Sequence, residues 1–181
     1  MKIISIVGMA GSGKSEVAKL FAENSFTKIR FGDITDQEVQ KSGLPLNEEN
    51  ERYIREMLRR EHGMAAYAKL NLPVIEDALK DQDVIIDGLY SWDEYIFLKS
   101  YYREDFHVVA VWAPPKTRHA RLVTRRNRPL TMEEAAARDR AEIENINKGG
   151  PIAMADFTII NDASLDDLKK NAKSTITRLR K

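Results

Sequence analysis

The sequence predicts an α/β protein with a parallel sheet, because short apolar runs alternate along the chain with segments of helical spacing. Three of these runs, at residues 3–7, 83–87 and 106–113, are continuous and rich in β-branched side chains. Such runs are typical of strands buried on both faces of a sheet. We expect about five strands and, because no repeat, low-complexity tract or linker interrupts the pattern, one domain over residues 1–181.

Local signals give the elements of the first half in order. The first strand, residues 3–7, is followed by a helix that begins near Lys14 and has apolar residues at helical spacing. Residues 26–33 alternate in character and predict the second strand. Residues 38–80 are helical in composition. This stretch has two breaks and one further kink or restart, at residues 42–45, at residues 62–63 and at Pro73.

The second half continues the alternation, with strands at residues 83–87, 106–113 and 156–161. A helix over residues 92–102 separates the first two of these strands. The helix that starts at residue 114 opens with proline, where the missing N–H costs little. Two later helices, one through residue 145 and one reaching residue 179, begin with capping signals. These signals pair Thr131 with Glu134 and Ser164 with Asp167.

Composition excludes several classes of protein. Apolar residues make up 43% and charged residues 31% of the chain, which is typical of a globular domain. The net charge of +1 predicts no general role in binding nucleic acid or membranes. Because cysteine is absent, the chain has no disulfide and no thiolate metal site. No apolar run reaches the length of a membrane span or a signal peptide, so we expect a cytoplasmic protein.

The segment GMAGSGKS, residues 8–15, fits the pattern G-x-x-x-x-G-K-[ST] between a predicted strand and a predicted helix. Its backbone N–H groups and the helix N-terminus would hold the β- and γ-phosphates of a nucleoside triphosphate. Lys14 would reach the terminal phosphates and Ser15 would ligate Mg²⁺. The alternative is a plain glycine-rich turn. The residues predicted to line this part of an ATP site are Gly8, Ala10, Gly11, Ser12, Gly13, Lys14, Ser15 and Glu16.

The chain lacks the signature of a guanine-reading GTPase. The segment NKGG at residues 147–150 has no aspartate at the position that N-K-x-D requires, and it follows a helix instead of a strand. Mechanical ATPases usually belong to larger rings or multidomain chains, whereas we expect this short chain to be complete in itself. Both observations favour a small phosphotransferase.

Basic residues concentrate at 116–128, in a chain that is otherwise nearly neutral. Arg121 and Arg125 are four residues apart, which predicts that they share a helix face. Phosphoryl transfer depends on positioning and on neutralising charge, so an arginine-rich helix followed by a short turn and another helix suggests a lid over 121–138. A solvated basic face or a nucleic-acid patch is the alternative. The segment comprises Lys116, Arg118, Arg121, Arg125, Arg126 and Arg128, and Arg138 and Arg140 follow it.

With these motifs in place, the chain resembles the adenylate-kinase and dephospho-CoA-kinase group of P-loop kinases. More narrowly, it resembles an archaeal family described as adenylate-kinase-related or dephospho-CoA-kinase-like, from residue 1 to about residue 168. The resemblance implies a three-layer α/β/α sandwich with a five-stranded parallel sheet and a helical lid, and it implies ATP and Mg²⁺. The segments that carry it, besides the phosphate loop, are FGD, REHGMAAYAK, VIIDGLYSWDE, WAPPKTRHARL, RDRAEI and AMADFTIIND.

The resemblance also implies roles on the acceptor side, roughly residues 37–80 and the ends of two strands. Asp33 would lie beside the acceptor, where a carboxylate can orient or deprotonate a hydroxyl; a helix N-cap is the alternative and is compatible with that role. Asp87 would hold Mg²⁺ through water or contact the acceptor, unless it is only a turn residue. Arg59 would bind an acceptor phosphate. Gly88 and Tyr90 complete the implied acceptor site.

On the donor side the resemblance implies an arginine set that encloses ATP. Arg121 would lie against the adenine, while Arg125 and Arg126 would reach phosphates. Arg138 corresponds to the arginine at the exit of the lid. The backbone around Asn161 and Ala163 would wrap the adenine. Catalysis is therefore assigned to Lys14, Asp33, Arg126 and Arg138.

Two departures bear on the acceptor. Tyr90 stands where relatives have an arginine after Asp-Gly, and the segment NRPLT lacks the acidic residues that often follow the lid arginines. Tyr90 could stack on a base instead. A nucleoside monophosphate is slightly favoured over the 3′-hydroxyl of dephospho-CoA as acceptor. The rival class is a regulatory nucleotide-binding ATPase that acts on a protein or RNA partner. The oligomeric state is left open.

Overall fold

A computed structural model describes residues 1–126 and 129–180. Its centre is a five-stranded sheet whose neighbouring strands are all parallel, in the order β2-β3-β1-β4-β5. The predicted fold class and the predicted strand number are therefore confirmed. The strands are β1 (Ile3–Val7), β2 (Thr27–Arg30), β3 (Val84–Asp87), β4 (Phe106–Trp112) and β5 (Phe157–Ile160).

Helices cover both faces of this sheet, which gives the three layers that the resemblance implied. The helices are α1 (Lys14–Ala22), α2 (Asp33–Lys41), α3 (Glu48–His62), α4 (Ala66–Ala78), α5 (Trp92–Tyr102), α6 (Pro115–Thr124), α7 (Met132–Glu144), α8 (Gly149–Ala153) and α9 (Leu165–Leu179). A short 3₁₀ turn, Arg103–Asp105, precedes β4. Among the described residues, no helix is both long enough and apolar enough to span a membrane.

Two apolar clusters, one on each face, form the core. On one face Ile4, Ile6 and Ile85 pack with α1 and α9. On the other face Val84 and Ile86 pack with α2, α3, α4 and α5. The alternation of side chains along each strand is the reason that one sheet supplies both clusters. Burial on both faces also explains why the strands are continuously apolar.

The lid segment rests directly on the phosphate loop. Leu122 of α6 and Ala135 of α7 are buried against Ala10 of the loop, with Leu130 packed beside them. The segment predicted to be a lid, residues 121–138, comprises the end of α6 and the start of α7; its closing over ATP stays a prediction. Arg128, counted in the basic segment, lies outside the described residues, as does Asn127.

The structure departs from the sequence-based expectation at three points. Helix α6 ends at Thr124, and Arg125 has extended backbone (φ −67°, ψ 144°), so it does not continue the helix face of Arg121. Helix α4 runs through Pro73 without restarting, because buried residues on both sides of the proline, Asn71 and Ile75, anchor it to the core. Helix α8, which was not predicted, begins at Gly149, within the NKGG segment of residues 147–150.

Candidate active site

The phosphate loop joins β1 to α1 in a conformation that its glycines make possible. Gly13 has φ 99°, and a Cβ atom there would lie 2.3 Å from the side-chain nitrogen of Asn161. Gly8 has φ 147°, and a Cβ there would lie 2.4 Å from the carbonyl oxygen of Val111. Larger residues would be strained in backbone and blocked in space at both positions. The loop is therefore a compact turn opening onto the N-terminus of α1, as an anion cradle requires.

Lys14 spans this loop, and its Nζ donates a hydrogen bond to the carbonyl oxygen of Met9 at 2.9 Å. Burial, and next to it the charge of Lys148, lower the pKa of Lys14 to about 7, against the opposing charges of Glu142 and Asp87. A lysine in such a position is stabilised in its charged form by a bound anion. Ser15 and Glu16 follow in the exposed first turn of α1.

Two more cations converge on Lys14 from the lid side. Lys148 is 2% exposed and donates from Nζ to Oε2 of Glu142 at 2.8 Å. The same Glu142 accepts from Nε of Arg138 at 3.2 Å, one turn back on α7. Arg138, predicted from the lid pattern, is thus in the site, whereas Lys148 was missed. The signal that points to Lys148 is its place in NKGG, a segment that lacks the aspartate of the guanine-reading pattern N-K-x-D.

Arg118, counted in the basic segment, is a structural residue. It is 4% exposed and donates to the carbonyl oxygens of Ala10 (3.0 Å) and Ala113 (3.2 Å). It also forms a two-pronged ion pair with Asp139 of α7, at 2.8 and 2.7 Å. These contacts fasten the phosphate loop to both helices of the lid segment. Arg126, by contrast, is exposed.

Arg121 and Asn161 meet beside the phosphate loop, where the adenine was expected. Nη2 of Arg121 donates to the backbone oxygen of Asn161 at 3.1 Å. The amide of Asn161 in turn donates to the backbone oxygen of Ser12 at 2.7 Å. Ala163 lies exposed just beyond, before α9 begins. The chain end of β5 is therefore tied both to the lid and to the phosphate loop.

Asp33 and Asp87 lie at the ends of neighbouring strands, as the parallel sheet requires. Asp33 begins α2, but the N-cap position belongs to Gly32, so the predicted side-chain cap is absent. Its carboxylate instead pairs with Arg30 at 2.7 Å and is 55% exposed. Asp87 pairs with Lys28 at 2.9 Å. Both carboxylates thus carry a basic partner, which a metal ion or an acceptor would have to displace or share.

Tyr90 lies across the ends of β2 and β3. A Cβ atom on Gly88 would come within 2.6 Å of the Tyr90 hydroxyl, so the ring needs glycine beneath it. Nζ of Lys148 lies 5.5 Å from the centroid of the ring, within cation–π range. The rings of Tyr67 and Tyr90 pack edge to face, with 6.0 Å between their centroids. Burial raises the pKa of Tyr90, so the phenol stays neutral.

Arg59 and Glu94 line the interior of this acceptor side. The guanidinium of Arg59 lies 5.5 Å from the ring of Tyr67. Its Nε is buried and has no hydrogen-bond partner within residues 1–126 and 129–180. Glu94 caps α5 by accepting from the backbone N–H of Tyr90 at 2.7 Å and of Ser91 at 3.2 Å. Burial raises the pKa of Glu94 to about 7, although these bonds and Arg59 oppose the rise.

A glycine-rich phosphate loop between β1 and α1, with a lysine facing further cations on a parallel sheet, defines a P-loop kinase-like nucleotide-binding fold. Residues 4–145 match a family model described as an AAA domain. The chain belongs to the UPF0200 family: it is 36% identical to a UPF0200 protein of Thermococcus kodakarensis, across 98% of this chain and 97% of that protein. It is also 34% identical to one from Sulfurisphaera tokodaii, across 99% of this chain and 98% of that protein.

Solved structures of kinases share the fold. Shikimate kinase from Bacteroides thetaiotaomicron superposes with a TM-score of 0.62, at 14% identity and over 99% of both chains. Dephospho-CoA kinase from Campylobacter jejuni gives a TM-score of 0.57, at 15% identity, over 98% of this chain and 97% of that one. A gluconokinase from Sinorhizobium meliloti gives a TM-score of 0.59 at 16% identity, over 98% of this chain and 93% of that one. At these identities the likeness establishes the fold alone.

Proposed function

We propose that this protein is a cytoplasmic ATP-dependent kinase that transfers the γ-phosphoryl group to a small, nucleotide-like acceptor. The observation that carries the proposal is the environment of Lys14. Burial and the positive charges of Lys148 and Arg138 lower the pKa of Lys14. Glu142 supplies a single negative charge to Lys148 and Arg138, so a bound polyanion would stabilise the three cations further. The carboxylates at the ends of β2 and β3 stand on the acceptor side of the same sheet edge.

Each part of the site has a task in such a transfer. The loop from Gly8 to Ser15 would bind the β- and γ-phosphates, with Lys14 neutralising the charge that develops as the terminal P–O bond breaks. Arg121 and the backbone near Asn161 would hold the base. Ser15 and Asp87 offer the oxygen ligands that Mg²⁺ prefers, and the ion would neutralise phosphate charge. Asp87 would exchange its contact with Lys28 for this role.

The acceptor side favours a ligand that carries an anionic group. The buried Nε of Arg59, which has no hydrogen-bond partner among the described residues, is suited to a phosphate. The ring of Tyr90, which has Lys148 within cation–π range, is suited to a flat base. A nucleoside monophosphate fits both features and is the acceptor we propose. The exposed carboxylate of Asp33 favours a second candidate, a hydroxyl acceptor of the dephospho-CoA type, because a hydroxyl must lose a proton during transfer.

The experiment is a coupled ADP-release screen over nucleoside monophosphates, deoxynucleotides and dephospho-CoA. We expect one class to accelerate ADP release far above the hydrolysis that ATP undergoes alone. Asp33→Asn then separates the two candidates: it should lower the maximal rate about 10²-fold for a hydroxyl acceptor and mainly weaken acceptor binding for a monophosphate. An ADP-release rate that no small molecule changes would instead support a regulatory ATPase.

A further inference from the structure

Lys148 occupies a position that the proposed donor and acceptor sites share. Its backbone N–H bonds to the carbonyl oxygen of Glu142 at 3.1 Å, which folds the end of α7 back on itself. Asn147, just before it, has a left-handed φ of 50°. The backbone N–H of Trp92 on α5 bonds to the oxygen of Ile146 at 3.2 Å. The turn that presents Lys148 is therefore fixed to two helices.

The ammonium group of Lys148 faces three different neighbours. Glu142 accepts its hydrogen bond at 2.8 Å, the ring of Tyr90 lies beneath it at 5.5 Å, and its charge acts on Lys14. An ammonium has three donors. Within the part of the chain that the structure describes, Glu142 is the one hydrogen-bond acceptor that Nζ has. The ammonium group of Lys148 thus retains free N–H groups close to Lys14 in the phosphate loop and to Tyr90 at the ends of the strands.

A buried ion pair is a weak explanation for a lysine in this place. Removing two charges from water costs more than their attraction usually returns, and apolar residues often serve stability as well. Burial lowers the pKa of Lys148, and the charge and the hydrogen bond of Glu142 oppose that effect. Glu142 holds Arg138 in the same way. Glu142 therefore positions two cations, Lys148 and Arg138, that can also bind a second anionic partner.

We infer that Lys148 is a second catalytic lysine, which binds the phosphoryl group while it passes between ATP and the acceptor. The inference rests on the proposed function and adds to it a residue outside the loop and the lid arginines. In the transfer, the bond between the γ-phosphorus and the bridging oxygen breaks, and ADP leaves with its electron pair. The acceptor oxygen forms the new P–O bond and gives any proton it carries to a carboxylate or to water. Lys148 keeps its three protons and donates hydrogen bonds only.

The test uses water as the acceptor, so that it does not depend on the acceptor's identity. Cleavage of γ-labelled ATP is followed in single turnovers with excess enzyme, and ATP affinity is measured separately by calorimetry. We expect Lys148→Met to slow cleavage about 10²- to 10³-fold, the usual effect of losing one donor to a developing charge. ATP affinity should stay within about threefold, because Glu142 holds the lysine before transfer. Lys99→Met, which changes a half-buried lysine on α5, is the matched control and should leave both values unchanged.

The outcomes separate this inference from the proposed function. A Lys148→Met variant that cleaves ATP at the wild-type rate would overturn the inference and leave the kinase proposal standing. The same holds for a variant whose slower cleavage is fully explained by weaker ATP binding. A wild-type protein that binds no ATP, or that cleaves it neither alone nor with any member of the acceptor panel, would overturn both. If the wild type cleaves ATP only with an acceptor present, the same comparison is made with that acceptor. Because Lys148→Met leaves Glu142 with Arg138 alone, the double variant with Glu142→Gln is measured beside it. If the single variant does not fold, the same criteria apply to the double variant.

Discussion

Nucleotide binding should draw a proton onto Lys14. The pKa of Lys14 is lowered to about 7 by burial and by Lys148, so at pH 8 roughly one molecule in ten carries the proton. The phosphates of ATP would favour the charged lysine and restore a pKa well above 8. Binding at pH 8 should therefore take up about 0.9 proton per site.

Calorimetry measures this uptake directly. Titrations with ATP at pH 8 in Tris and in HEPES should differ in observed enthalpy by the uptake multiplied by the difference in buffer ionisation enthalpy. Lys14→Met should remove most of the difference, whereas Lys19→Met, on the exposed side of α1, should retain it. Equal enthalpies for the wild type in both buffers would refute the lowered pKa of Lys14.

Three other predictions concern a buried acid, a structural arginine and the lid. Glu94 has a raised pKa of about 7, so its contribution to the unfolding free energy falls as pH rises from about 4.5 to 7. Glu94→Gln should remove this fall, which amounts to about 3 kcal/mol at pH 8 in chemical denaturation. Arg118→Met should cost about 3–5 kcal/mol by the same assay, because it removes a buried partner that bonds Asp139 and two backbone carbonyl oxygens and leaves Asp139 with His119. Exposed Arg140→Met should cost little. Arg126→Ala should lower the rate of steady-state transfer more than ATP affinity, and identical losses in both would argue against a closing lid.

Local signals explain how much of the fold could be predicted from the sequence. The phosphate loop, the continuous apolar strands and both capping boxes depend on residues a few positions apart, and the structure confirms each of them. The position of Asp87 at the edge of the sheet could also be predicted, because the carboxyl ends of parallel strands lie on one edge. The resemblance assigned both Arg121 and Asn161 to the adenine, and the structure brings them into contact with each other beside the phosphate loop. Their role in binding adenine stays a prediction.

The missed features depend on distant contacts or on competition between neighbours. Arg118 is one of several basic residues in its segment and Lys148 is a single lysine before α8. Arg118 ties the phosphate loop to α6 and α7, whereas the charge of Lys148 acts on Lys14. Nothing local predicts these roles, because their partners lie on other helices. Asp33 had an N-cap of α2 as its alternative role, but Gly32 is the N-cap residue and the carboxylate of Asp33 pairs with Arg30 of the preceding strand. Arg125 leaves the helix face of Arg121 because the helix ends one residue earlier.

The central claim is that the phosphate held by the loop moves to a small molecule. The most direct measurement incubates γ-labelled ATP and Mg²⁺ with the panel of nucleoside monophosphates, deoxynucleotides and dephospho-CoA, using wild type and Lys14→Ala in parallel, and separates the products. We predict label on one class of acceptor with the wild type, and a loss of orders of magnitude with Lys14→Ala, whose fold should stay intact. Label that appears only as inorganic phosphate whatever the acceptor, or transfer at the wild-type rate by Lys14→Ala, would contradict the account.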